Sequence, residues 1–511
     1  MMLLNYFLEK MLLNYIIYER NEMNIPMLSI ADSVSQNALR RPNHPAFINK
    51  NGSIVTYKEF VILMNKTANQ LQSIGSLEGE IFGLSMKDNV EHVVLMLGII
   101  RMGGIVLPMD VRWTHHEKLS VANFFGAKSI ITDEKIENFN TIKIDDEWHR
   151  LVSKQEDNGV FPSDIEKNLW LSLSSGTTGI PKGPMLTHKQ MILRFIEQCI
   201  SVGFNEHEIN VLATPLYFGG GRNFTVSMLY FGGTVLMYPP PYDVEDLALA
   251  VNKYNATSLF LVPTLLRRLL SNKKDNELVF PKLRLLISSG SILHKEEREL
   301  IQKKLCPSFV NLYASTEAGA VSLLSPYDPP EKSGSVGQAA FMNTFEVVDD
   351  SNTPVPAGEV GRIRQKAPWI PSGFYNNVEE SKKMFVDNWY FTGDLGKIDK
   401  DGFLYIVGRV KDMIIRGGIN IYPSEIEDIL NKHEYVLDTS VIAWPSKELG
   451  EEVAAFVVKN NVINEEDLMQ YLKEFLAPYK IPKQIFFIDD LPKSAQGKVL
   501  KSELTKKLPK I

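Results

Sequence analysis

Short apolar runs alternate with amphipathic stretches from about residue 28 to residue 407. Within 91–102, Val94, Leu95, Leu97 and Gly98 share one side at helical spacing, which predicts a helix. Gly103 and Gly104 then turn the chain into the apolar run 105–108, read as a buried strand. Residues 257–262 are rich in strand formers, and 263–270 turn helical. A further strand is expected over 283–288. Ser289, Gly290 and Ser291 follow it as a loop into a helix that carries Glu296 and Glu297. A third strand, over 309–313, again ends in small polar residues. Strands alternating with helices predict α/β layers. Small polar residues just after strand ends are where such folds place ligands.

The last hundred residues read as a separate unit. Gly408-Arg409-Val410-Lys411 is a short polar joint. Beyond it the pattern predicts a helix over 424–430, strands over 439–444 and 453–458, a helix over 464–476 and a strand over 484–488. Ser424 is the expected N-cap of the first of these helices, with Glu425 and Glu427 in the first turn, where the helix dipole favours negative charge. This is a small α+β domain. There is no internal repeat.

The chain of 511 residues is too long for one compact core, so at least two domains are expected. A net charge of −6, with Lys and Arg scattered, excludes the basic face of a nucleic-acid binder. The two cysteines, Cys199 and Cys306, have neither metal nor redox spacing and are expected as buried thiols. So few cysteines fit a reducing compartment, and a cytoplasmic location is expected. Residues 1–18 are apolar but broken by Glu9 and Lys10, too short for a membrane span and without a signal-peptide pattern. They are expected as an extension ahead of a fold that begins near Met27, and no integral membrane contact is expected.

The strongest chemical signal is Ser174-Ser175-Gly176-Thr177-Thr178-Gly179-Ile180-Pro181-Lys182-Gly183. Here an apolar strand runs into hydroxyls, glycines and one lysine. Glycines let the backbone approach an anion, N–H groups and hydroxyls donate to it, and Lys182 adds a point charge. The spacing is not that of a Walker loop. On composition alone, a phosphate site and a structural turn both remain open.

This stretch resembles the phosphate loop of the acyl-adenylate-forming superfamily, which holds acyl-CoA synthetases, peptide-synthetase adenylation domains and firefly luciferase. Four further segments match in order: Tyr313-Ala314-Ser315-Thr316-Glu317, Tyr390-Phe391-Thr392-Gly393-Asp394, Gly408-Arg409 through Glu425, and Pro492-Lys493-Ser494-Ala495-Gln496-Gly497-Lys498. The resemblance covers about residues 28–504. It implies an α/β fold, with a large N-terminal domain of layered α/β subdomains and a small mobile α+β C-terminal domain. It divides the chain into an extension (1–26), a large ATP- and acid-binding domain (27–408), a hinge (409–411) and a small domain carrying the adenylation lysine (412–511).

The roles that follow are implied by the resemblance. Lys498 bridges the substrate carboxylate and the α-phosphate of ATP. Thr316 hydrogen-bonds that phosphate and Glu317 is the Mg2+ ligand. Asp394 accepts from the ribose hydroxyls and Arg409 donates to the ribose. Asn311 meets the adenine amino edge, Ser289, Gly290 and Ser291 wall the base, and Tyr313 stacks on it. Lys411 is the pivot, and Gly418 lets a pantetheine arm pass. For isolated residues the blander readings are a tail lysine at 498, a solvated carboxylate at 317 and an ordinary salt bridge at 409.

Three departures stand out. Ala314 replaces a glycine, Lys501 a common arginine, and Phe218 stands where many acyl-CoA synthetases carry histidine. The acid pocket is expected around Phe218, Gly219, Arg222, Ser288 and Ala314. The segment Tyr217-Phe218-Gly219-Gly220-Gly221 holds no aspartate for a substrate ammonium, which disfavours α-amino acids. Arg222 is equally readable as a partner for a second acidic group or as structural. No carrier domain is expected after Lys498. CoA is therefore the expected thiol, and a separate phosphopantetheinyl carrier protein is the alternative. A non-catalytic relative is a third reading, disfavoured because every reactive group persists.

Overall fold

The computed structural model describes residues 27–173, 182–271, 278–493 and 499–509. Residues 1–26, Ser174, Ser175, Gly176, Thr177, Thr178 and Lys498 lie outside them. The fold is mixed α/β, with a large N-terminal domain and a smaller C-terminal one.

Two largely parallel sheets dominate the large domain. The nine-stranded sheet runs Gln338–Ala339, Gly319–Leu324, Phe309–Ser315, Leu285–Ser288, Ser258–Phe260, Ile209–Leu212, Thr234–Met237, Pro45–Asn49, Ile54–Thr56. The six-stranded sheet runs Thr141–Lys143, Ser129–Thr132, Ile81–Ser85, Ile105–Pro108, Asn168–Leu171, Met185–Thr187. One buried cluster joins them. It takes Phe47, Leu212 and Val235 from the first sheet, Phe82, Val106 and Trp170 from the second, and Phe60 and Leu97 from the helices Tyr57–Ser73 and Val90–Arg101. The helix Val90–Arg101 is buried on every side rather than one, as a helix held between two sheets must be. Gly98 lets it approach its neighbour, because a Cβ there would sit 2.6 Å from a Thr67 methyl.

A third sheet, antiparallel, pairs Thr344–Val348, Gly361–Lys366, Trp389–Ile398, Phe385–Val386 and Leu404–Arg409. The fourth belongs to the C-terminal domain, where Gly450–Lys459 lies between Val436–Ser446 and Gln484–Phe487. Helices Pro423–Leu430 and Glu465–Phe475 cover it over a separate core of Ile426, Leu430, Val441, Val453, Leu468 and Leu472.

Two local expectations are corrected. Ser424 is not the N-cap: the helix starts one residue earlier at Pro423, whose fixed φ suits the first helical position, and Tyr422 caps without a side-chain bond. The Ser424 hydroxyl donates instead to the Val407 carbonyl. Cys199 is half-buried where full burial was expected, because it sits near the exposed end of the helix His188–Val202; Cys306 is buried. Burial pushes both thiols up, away from reactivity. Among the described residues no helix is long and apolar enough to cross a membrane.

Candidate active site

The strand ends of the nine-stranded sheet bring together most of the expected nucleotide residues that the structure describes. Ser288, the last residue of its strand, lies in register with Asn311 on the next. Both are buried, and the Ser288 hydroxyl has no hydrogen-bond partner among the described residues. Ser289 is buried, whereas Gly290 and Ser291 are exposed. Along Phe309–Ser315 alternate side chains share a face, so Asn311 and Tyr313 point the same way while a register shift falls between Tyr313 and Ala314.

Tyr313 ties this strand to the third sheet. Its hydroxyl donates to Asp394 Oδ2 at 2.6 Å. Burial, then the adjacent carboxylate, push the phenol well above its ordinary range, so it stays a donor. Asp394 faces Arg409 across an antiparallel pair, with Arg409 Nε 3.1 Å from Oδ1. Three expected nucleotide residues thus meet at one carboxylate.

Thr316 and Glu317 follow the same strand. Sequence reasoning missed what holds them. Arg194, 4% exposed on the helix His188–Val202, donates to the Thr316 carbonyl at 3.2 Å and the Glu317 carbonyl at 2.6 Å. Trp369 Nε1 donates to the Ala318 carbonyl at 2.7 Å, and Gln365 Nε2 to the Ala320 carbonyl at 3.0 Å. The carbonyls of the segment are thus bound from behind. The one signal in the sequence was a cation inside an apolar helical stripe, beside Phe195 and three residues after Met191. Burial lowers the Arg194 guanidinium to about 10 and raises Glu197, one turn on, to about 7.

Lys182 closes the segment expected to hold phosphate. Its ammonium pairs with Glu380 and lies 5.8 Å from the Phe374 ring centroid. The preceding hydroxyls and glycines lie outside the described residues, as does Lys498.

In the acid region, Phe218 precedes the helix Gly219–Phe231 and packs on Tyr217, ring centroids 4.2 Å apart. The glycines differ in need. Gly219 has room for a side chain, but a Cβ on Gly221 would lie 2.3 Å from the carbonyl oxygens of Thr214 and Pro215. Arg222 turns inward: it is 1% exposed, stacks 5.0 Å from Trp170, and donates to the Leu216 and Tyr217 carbonyls at 3.3 and 3.0 Å. Of the two readings left open for Arg222, the geometry favours the structural one.

In the C-terminal half, Lys411 is exposed on the single turn Val410–Asp412. Gly417 and Gly418 have φ of 57° and 84° and form the turn between Ile414–Arg416 and Ile419–Ile421. Such a hairpin turn demands positive φ, so Gly418 has a backbone reason to be glycine independent of any ligand. His294 contacts Asp428 at 3.1 Å, which links the large domain to the helix Pro423–Leu430.

Residues 34–375 match the family model for AMP-binding enzymes and residues 425–498 that for the AMP-binding enzyme C-terminal domain. A long-chain-fatty-acid–CoA ligase of Escherichia coli O6:H1 is 31% identical over 93% of this chain and 94% of its own. The crystal structure of ATP-bound MatB from Rhodopseudomonas palustris superposes with a TM-score of 0.86 at 26% identity, covering 93% of this chain and 98% of that one. The o-succinylbenzoate coenzyme A synthetase MenE of Bacillus subtilis, in complex with ATP and magnesium, gives 0.84 at 26% identity, covering 94% and 99%.

Proposed function

The chain belongs to the AMP-binding enzyme family, and from that premise we propose that it activates an apolar monocarboxylic acid with ATP and passes the acyl group to CoA. It is an AMP-forming acid–thiol ligase of the acyl-CoA synthetase type, and ATP, Mg2+ and CoA are its co-substrates and cofactor. The observation that carries the residue-level reading is the meeting of Tyr313, Asp394 and Arg409 beside the held Thr316–Glu317 segment.

In this proposal Asp394 accepts from the ribose hydroxyls, an acceptor-only role that suits a carboxylate. Arg409 donates to the ribose, Tyr313 stacks on the adenine opposite Ser289, Gly290 and Ser291, and Asn311 meets its amino edge. Lys182 and the hydroxyls of 174–178 hold the phosphates. Thr316 donates to the α-phosphate, and Lys498 sits between that phosphate and the acid. Both reactants are anions, so these cations act where charge builds up. Mg2+, when bound, supplies further neutralisation, with Glu317 as its protein ligand. Among the described residues no three His, Cys, Asp or Glu side chains gather as a metal site. A single carboxylate such as Glu317 suits a hard cation that takes its other oxygens from phosphate and water. The joint 409–411 is the pivot and 412–511 the turning domain, with Gly418 beside the pantetheine arm. In this proposal the reaction runs in the cytoplasm, where ATP and CoA are supplied.

The acid class rests on Arg222. Its Nη1 is taken by two backbone carbonyls and its side chain is 1% exposed. Although Nε has no partner among the described residues, a second carboxylate would have to leave water and enter a closed core to reach it. Phe218, Gly219, Ala314 and Ser288 then border a pocket for an uncharged chain or ring. Pyrophosphate exchange with alkanoic, aryl and dicarboxylic acids, followed by thioester detection with CoA, tests this. Alkanoic or aryl monoacids should exchange and form thioesters. Exchange confined to diacids would overturn the acid class, and none at all the activation.

A further inference from the structure

The segment that leads into the helix Gly219–Phe231 is gripped by Arg222 and by three residues that no sequence motif marked, Asp88, Asp110 and Arg112. Asp88 and Asp110 lie just beyond the C-terminal ends of Ile81–Ser85 and Ile105–Pro108, adjacent parallel strands of the six-stranded sheet. The gripped segment, 214–218, belongs to the other large sheet, just past Ile209–Leu212. Asp88 Oδ1 accepts the Leu216 N–H at 3.0 Å. Asp110 holds Arg112 through three contacts of 2.6, 3.0 and 3.2 Å. Arg112 Nη2 in turn donates to the Tyr217 hydroxyl at 2.5 Å. Arg222 takes the Leu216 and Tyr217 carbonyls from within. Burial, then the neighbouring Asp110, raise the Tyr217 phenol, so it remains protonated beside Arg112.

We propose that Arg112, set by Asp110, is a positioning residue for the acid pocket: it fixes Tyr217 across the sheet boundary, and the Tyr217 ring fixes the Phe218 ring packed on it. The inference rests on the acid-activating reading above. The Arg112 side chain is 61% exposed, but Asp110 sets its fork, and its one bond to the Tyr217 hydroxyl restrains the ring from swinging to admit a wider acid, so the clamp narrows the chain or ring accepted. Arg112 touches neither acid nor nucleotide in this scheme. Its loss should therefore act on the acid alone.

The test uses Tyr217→Phe, which removes only the hydroxyl, and Arg112→Met, with Arg112→Lys as the conservative variant. The apparent KM for the best acid should rise at least about 5-fold in the first two, a loss of roughly 1 kcal/mol, with that for ATP within about twofold. Branched or ring-bearing acids should gain relative to it. Arg112→Lys should recover part of the effect. Hydrogen exchange on the ligand-free proteins gives a readout independent of turnover. The amides of 214–218 should exchange at least about 10-fold faster in Arg112→Met than in the wild type. Unchanged exchange, or KM values for acid and ATP that rise together, would overturn the clamp. A wild-type chain that activates no acid would sink the functional reading instead, and the exchange rates would still judge the clamp.

Discussion

Arg194→Met removes the guanidinium behind the Thr316–Glu317 segment while keeping much of its volume. Two charge-assisted bonds are lost, at 3.2 and 2.6 Å, each worth about 1.5–3 kcal/mol. Burial of the cation offsets part of this, since it already lowers the guanidinium to about 10. What remains is two carbonyls with their donor gone, at about 1–3 kcal/mol each. The segment relieves that cost by moving toward other donors, and the Thr316 hydroxyl and Glu317 carboxylate move with it. A shift of about 1 Å in a positioning group costs on the order of 100-fold in rate. We therefore expect kcat/KM for ATP in pyrophosphate exchange to fall about 10- to 100-fold, or roughly 1.4–2.8 kcal/mol. The half-saturating Mg2+ concentration should rise, because the displaced carboxylate is the proposed ligand. Arg194→Lys should fall between, since one ammonium replaces a fork. The assay is exchange across a Mg2+ series, beside thermal melting to confirm folding. A folded Arg194→Met protein with wild-type Mg2+ dependence and kcat/KM within about twofold would refute the reasoning.

Lys498→Ala should abolish acyl-AMP formation yet leave thioester formation from supplied acyl-AMP largely intact; equal loss of both halves in a folded variant would place the lysine elsewhere. Lys411→Pro fixes φ at the joint; acyl-AMP should still form while thioester formation falls at least about 10-fold, or roughly 1.4 kcal/mol, and single-turnover rates unchanged in both halves would rule out a pivot there. The His294–Asp428 contact should be pH-dependent. Asp428 raises the His294 imidazole, assisted by Glu297 and opposed by burial and Arg267. The contact is therefore fully present below the ordinary histidine range and is lost as pH rises through the raised value. Proteolysis of the joint near 409–412 should speed up over that rise in the wild type and lose this dependence in Asp428→Asn; identical profiles would show that the pair does not hold the domains.

The periodic parts of the fold were legible in the chain. The strand 105–108 and the helix that begins at Pro263 sit where the pattern put them, because alternation and helical spacing are local consequences of burial. Ser424 was misread as a cap because capping preference is local, whereas its hydroxyl finds a carbonyl brought close only by tertiary packing. The helix Val90–Arg101 was read as one-sided because a sequence window does not register a second sheet.

The sequence by itself determined the chemistry on offer: a glycine- and hydroxyl-rich loop with Lys182, the carboxylates Glu317 and Asp394, and a polar joint before a second domain. These signals are local, because anion binding and chain turning need particular residue types within a few positions of one another. Tertiary structure alone decided which groups hold the site. Arg194 reaches Thr316 and Glu317 across more than a hundred residues, Arg112 reaches Tyr217 from another sheet, and Arg222 turns from the pocket toward backbone. An arginine's sequence neighbours do not say whether its fork ends on a ligand or on a carbonyl. That is settled by which unsatisfied acceptor the fold places within about 3 Å of it.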